Sequence, residues 1–196
     1  MSKKYEKYYL IYIFWLLIFV IFTNQHYNFD EIVNINQLDS VSYMAIANYS
    51  PNYSSEILPY HHAQRVFFPY FIGLIANVLN FDIFYSFKVF TFISLFLIIY
   101  IHYLTIKKLK TDFFFSIISI SLLILNPYIY RYFIAVPTMI NDAVFILSVY
   151  LFLFSLVSNN NYVILSIFLG LVTRQNGIFL FIANLINLFL IKKFKF

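Results

Sequence analysis

Long apolar runs with no polar face alternate with short polar segments along the whole chain. An α-helix needs about 20 mostly apolar residues to cross a bilayer, within a range of roughly 17–25. The runs that reach or approach this length lie near 8–23, 84–106, 113–130, 142–158, 162–175 and 177–192. They predict an all-α fold, a polytopic transmembrane helical bundle of about six spans, as a single membrane domain over 1–196. The fifth run stops short at Arg174 and the sixth follows at once, so these two are expected to form a tight hairpin. Another apolar run, 66–79, is too short to assign as a span: Pro69 and Gly73 fall inside it, and Asn77, Asn80 and Asp82 mark its end. An amphipathic helix lying in the outer interface suits it better. The first run, with Lys3, Lys4 and Lys7 before it, has the start of a signal peptide. Thr23-Asn24-Gln25-His26 supplies no small-x-small cleavage site, so it reads as an uncleaved first helix.

Composition strengthens this reading. Hydrophobic residues make up 62% of the chain and charged residues only 11%, against about 25% in a globular domain. A soluble fold could not be coated with so few polar groups. The formal net charge of +5 does not point to nucleic acid, because the lysines sit in three clusters beside apolar runs. Basic residues near span ends stay on the cytoplasmic side. If 66–79 does not cross, nine of the thirteen basic residues fall inside: Lys3, Lys4, Lys7, Lys107, Lys108, Lys110, Lys192, Lys193 and Lys195. A crossing at 66–79 would move the 107–110 cluster outside. The expected protein is therefore a multi-pass protein of a bacterial inner (plasma) membrane with both termini cytoplasmic. Residues 24–83 become one outer loop with juxtamembrane helices, and Asp30, Glu31, Asp39, Arg65, Arg131, Asp142 and Arg174 all fall at the outer face. With no cysteine, disulfides and thiolate metal sites are excluded.

Several outer residues could carry chemistry. Asp39 and Ser40 can cap a helix whose apolar positions 41, 44, 45 and 47 recur at helical spacing, and Asp39 and Tyr43 then share a face. A carboxylate there could act as a general base toward a hydroxyl, although capping alone would also account for it. The acidic pair Asp30-Glu31 could hold a divalent cation or be solvated loop. Arg65 and Arg174 present guanidinium forks that match phosphate oxygens. Arg174 lies between two apolar runs, where an ionisable residue is costly and suggests function, with snorkelling as the alternative. Asp142 opens the fourth span as a cap or as a partner for Arg131 or Arg174. His61 and His62 could ligate a metal, but adjacent side chains point apart. His102 reads as an interfacial residue near the lysine end of its span, and Lys88 is an isolated cation near the outer end of the same span.

The order of these features resembles the GT-C superfamily of polytopic membrane glycosyltransferases, including the protein mannosyltransferase-like and lipid A sugar transferase-like enzymes. The phrases that carry the resemblance are Asp39-Ser40-x-x-Tyr43-x-x-Ile46-Ala47, Arg65-Val66-Phe67-Phe68-Pro69, Asn141-Asp142-Ala143 and Thr173-Arg174-Gln175-Asn176-Gly177. The resemblance implies transfer of a sugar from a polyprenyl-phosphate donor to an acceptor on the outer side of the membrane. It makes Asp39 the catalytic base and Arg65 and Arg174 the donor-phosphate ligands, with Asp30, Glu31, Tyr43, His62 and Asp142 as further site candidates. Some relatives use a divalent metal, so one is open here, and no cofactor is otherwise implied. Membrane lipids are the other expected partners, and nucleic acid is not one. Family members usually have more spans, so this chain is expected either to be a minimal or truncated form, matching the N-terminal part of a typical enzyme, or to have its site completed by a second membrane chain. The alternative is a transporter or flippase-like protein, or a non-catalytic membrane subunit.

Overall fold

A computed structural model describes residues 3–24, 37–52, 64–158 and 161–193, so Asp30, Glu31 and His62 lie outside the described residues. All described secondary structure is helical: α1 (Lys3–Asn24), α2 (Gln37–Tyr49), α3 (Phe67–Leu79), α4 (Ile83–Leu109), α5 (Phe113–Ile124), α6 (Tyr132–Ala135), α7 (Ile140–Ser158), α8 (Tyr162–Thr173) and α9 (Ile178–Lys193). Four segments are long and apolar enough to cross a membrane: Tyr5–Thr23, Ile83–Leu109, Phe113–Ala135 and Pro137–Ser158. By helix length and composition the chain is a multi-pass membrane protein. The count is lower than six because α8 has 12 residues and α9 has 16, about 18 and 24 Å of helix against a hydrocarbon core of about 30 Å.

Local signals set the helix ends. Asn80 ends α3 in the left-handed conformation, at φ 54°, which asparagine tolerates better than most residues. Two residues later Asp82 caps α4, its Oδ1 accepting from the Tyr85 N–H at 2.8 Å. The same punctuation recurs at Lys110 (φ 54°) and Asp112, whose Oδ1 accepts from Phe115 N–H at 2.8 Å and starts α5. The third apolar run continues past 130 to Ala135, but not as one regular helix. Pro127 cannot donate to the ladder, and Pro127–Arg131 forms a π turn capped by Asn126.

Side-chain contacts fix which way each helix runs. α1 lies parallel to α5: Tyr5 stacks on Phe113, Tyr12 meets Ser121 at 2.7 Å, and Arg131 donates to Thr23 at 3.1 Å. α1 is antiparallel to α4, and Glu6 accepts from Lys107 at 2.8 Å and from the Tyr103 hydroxyl. The start of α1 and the 107–110 lysines therefore share one end of the bundle. α7 runs parallel to α4, with Thr91 donating to Pro137 O at 2.8 Å and His102 packing edge-on to Tyr150. His102 is only 8% exposed and bonds Ser119 at 3.2 Å. It is a core residue among three helices rather than an interfacial one, a position that its place in the run could not reveal.

α8 returns along α7, with Tyr162 beside Phe154 at one end and Arg174 beside Asp142 at the other. The turn into α9 closes tightly, as the sequence predicts. A Cβ on Gly177 would stand 2.2 Å from the Gly170 carbonyl carbon, and one on Gly170 would stand 3.3 Å from Ser148 Oγ. Small residues allow this approach, and hydroxyls inside the bundle bond their own backbone: Ser148 to Phe145 O at 2.6 Å, Thr173 to Leu169 O at 2.7 Å.

α2 and α3 pack at the end away from the lysines. Tyr70 donates to Pro51 O at 2.7 Å, Asn77 donates to Ser50 O, and Ser40 pairs with Thr138 at 2.9 Å. Phe71 and Phe90 touch edge to face, although each lies about 13 Å along its helix from the intervening turn. α3 thus leans back along the opening turns of α4. The backbones of α2 and α3 meet at Gly73, where a Cβ would fall 2.1 Å from Ala47 O. Since backbone cannot yield as a flexible side chain can, Gly73→Val should cost about 1–3 kcal/mol or more, the range for overpacking. Heating the detergent-solubilised variant and following its monodisperse fraction should show a lowered midpoint; an unchanged midpoint contradicts this packing.

Candidate active site

The end of the bundle where α2, α3, α7 and α8 meet brings together residues up to 135 positions apart in sequence, from Asp39 to Arg174. Asp142, in the first turn of α7, accepts from Arg174 Nε at 2.6 Å, with the two side chains 14% and 31% exposed. Arg174 stands where α8 ends in extended backbone (φ −147°, ψ 144°), so the guanidinium is carried on a turn that the α8–α9 closure holds. Its Nη groups make no hydrogen bond among the described residues, and the guanidinium lies 6.0 Å from the Phe145 ring centre. One face of this cation is thus fixed by the carboxylate while the fork remains open.

Asn141, beside Asp142, is fully buried and donates from Nδ2 to the Arg65 carbonyl at 2.9 Å. That bond ties the segment before α3 to the start of α7. Arg65 in turn reaches the Tyr43 hydroxyl from Nη1 at 3.5 Å, a long contact. Tyr43 has no exposed surface. Burial raises its hydroxyl above the ordinary tyrosine value; Arg65 and the Asn141 amide pull the other way, and Asp142 adds to the rise. Asp39 lies one helical turn before Tyr43, in the first turn of α2 rather than at its cap. Its neighbour Ser40 bonds Thr138 across the chain instead of capping. Asp39, Asp142 and Tyr43 all lie close enough to act electrostatically on Arg174. The two aspartates and Arg174 also act on Tyr132.

Five sequence candidates therefore converge here: Asp39, Tyr43, Arg65, Asp142 and Arg174. Arg131 instead donates to Thr23. Asp30, Glu31 and His62 fall outside the described residues. Among the described residues no group of three His, Asp or Glu side chains could hold a metal ion. Tyr132, Asn141 as the link to Arg65, and the Ser40–Thr138 pair were not singled out by pattern. Neutral residues beside apolar runs carry no spacing signal, and only burial marks them. The cluster can bind an anion at the Arg174 fork, with the Asp39 carboxylate within electrostatic reach, and exclude bulk water from the Tyr43 side.

A partly buried ion pair leaves an uncompensated charge when only one member is removed. Asp142→Asn and Arg174→Gln should each destabilise the protein, and the double variant should lose less than their sum. The coupling should be about 1–2 kcal/mol, intermediate between exposed and buried pairs. A double-mutant cycle on thermal unfolding in detergent reads it, and additive effects would rule out the pair as a structural tie. No protein-family model matches the chain, and neither a curated protein nor a solved structure is significantly similar to it.

Proposed function

We propose that the chain is a membrane glycosyltransferase, or the N-terminal module of one, that takes a sugar from a polyprenyl-phosphate donor. The observation that carries this reading is the convergence of Asp39, Tyr43, Arg65, Asp142 and Arg174 at one end of the bundle. A carboxylate and a cationic fork side by side at a membrane boundary suit an amphiphilic phosphate donor attacked by a hydroxyl. Asp39 takes the proton of the acceptor hydroxyl as its oxygen forms the bond to the anomeric carbon. The bond from that carbon to the phosphate oxygen breaks with inversion, and the polyprenyl phosphate leaves with the electron pair. Arg174, oriented by Asp142, stabilises the negative charge that grows on the phosphate, with Arg65 beside it.

In this reading the site faces outward, the lysine end is cytoplasmic, and the membrane is the plasma membrane of a bacterium. The nine clustered lysines support that orientation. Helices α8 and α9 complete six crossings, with local thinning of the bilayer or a second membrane chain compensating for their length. The acceptor arrives from outside.

Two experiments test the reading. In intact cells, cysteine replacing Asp112 should resist a membrane-impermeant thiol reagent, whereas cysteine replacing Asn52 should react; the opposite pattern refutes the orientation. In proteoliposomes supplied with a panel of polyprenyl-phosphate hexoses, Asp39→Asn should lower transfer by about 100-fold or more while donor binding persists. Arg65→Ala and Arg174→Ala should instead weaken donor binding. Wild-type transfer by Asp39→Asn would remove Asp39 from the mechanism.

A further inference from the structure

The other face of α2 borders a hollow that the proposed reaction does not use. Asp39, Tyr43 and Ile46 lie on one side of the helix, and Val41, Met44, Ala45 and Tyr49 on the other. The hollow is an open groove of about 580 Å³, within the range of about 300–1,000 Å³ typical of ligand pockets. Phe84, on the first turn of α4, closes it from the bundle side, so it sits where a candidate membrane span begins. Its walls are mostly apolar: the hydroxyls of Ser40 and Thr138 bond each other, and Asn48 adds an amide on the exposed side of α2. Apart from Asn48, water finds few partners there, whereas an apolar chain from the adjoining bilayer would fill the apolar part.

A second observation gives the head group its sign. Lys88 lies one turn beyond Phe84, and its Nζ stands 4.7 Å from the Phe84 ring centre and 5.3 Å from that of Tyr85. A cation within a span is costly unless it is paired. Among the described residues no carboxylate lies within ion-pair distance of Lys88. The nearest acid on its own helix, Asp82 at the cap, has its carboxylate engaged by the Tyr85 N–H. Lys88 therefore offers a charge beside Phe84, a lining residue of the hollow, and among the described residues it has no carboxylate partner.

We propose that this hollow is a binding site for an anionic phospholipid, which lays one acyl chain between α2 and α4 and sets its phosphate against Lys88. The site lies on the opposite side of α2 from Asp39 and does not depend on the transferase reading. Native mass spectrometry of the full chain in detergent, with phosphatidylglycerol or phosphatidylcholine of identical chains, tests it. Wild type should retain phosphatidylglycerol about fivefold more than phosphatidylcholine, the contribution expected of one lysine. Lys88→Gln should abolish that preference and leave phosphatidylcholine retention unchanged. Ala45→Phe, which fills the hollow, should reduce retention of both lipids, and Met44→Phe gives the same test if the first variant does not fold. Equal retention of the two lipids by wild type, or an undiminished preference in Lys88→Gln, would overturn the proposal. Displacement of phosphatidylglycerol by equimolar polyprenyl phosphate would also overturn it, assigning the hollow to the donor instead.

Discussion

Hydrocarbon gives a backbone amide nothing to bond with, so every backbone polar group within the spans must find its partner inside the protein. That constraint explains why the described chain is helical throughout and why its serines and threonines turn back onto their own carbonyls. It also explains where helices are allowed to end. The α3–α4 and α4–α5 junctions each combine a left-handed residue with an aspartate cap two positions later, so donors exposed by one helix end are met within a few residues. The π turn at Pro127–Arg131 is the departure: Asn126 Oδ1 there accepts from the Tyr128 N–H, and the Arg131 side chain donates to Thr23 of α1.

The same cost of burying charge sorts ionisable residues to the two ends. At one end Glu6 gathers Lys107 and Tyr103, tying the first helix to the last turn of α4. At the other, Asp142 holds Arg174, and Asn141 holds the backbone of Arg65. The second arrangement has more chemical reach. An arginine gripped through Nε by a carboxylate keeps its terminal nitrogens in a defined direction, and so less of its rotamer freedom is lost when an anion arrives. Asp142 thus orients the Arg174 guanidinium, and Asp39 and Tyr43 on α2 lie close enough to act on it electrostatically.

α2 is the element on which both proposed sites depend. Ala47 beneath Gly73 sets its distance from α3, and Ser40 against Thr138 sets its position on the turn before α7. Because one short helix presents Asp39 and Tyr43 on one side and an apolar wall on the other, a shift of α2 would change both the charged cluster and the hollow at once.

Helix class, the positions of the four long apolar helices and the shared end of the α1 start and the 107–110 lysines were legible in the sequence because they depend on local quantities: run length, hydropathy and charge near span ends. The tight turn at Gly177 and the punctuation at Asn80 and Asp82 were legible for the same reason. Asp39, Arg65, Asp142 and Arg174 could be singled out individually, since charge is conspicuous in an apolar chain. Their meeting was implied only by the family resemblance, because it depends on interactions across 32 to 135 positions that no periodicity encodes. Asp142 was legible as a candidate partner for Arg131 or Arg174, but only packing of α8 against α7 chose Arg174 and left Arg131 to Thr23. His102 and Asn141 make the same point from the other direction. Their burial follows from which helices surround them, and that is decided by tertiary packing, where the free energy comes from side chains brought together by the fold rather than from neighbours in sequence.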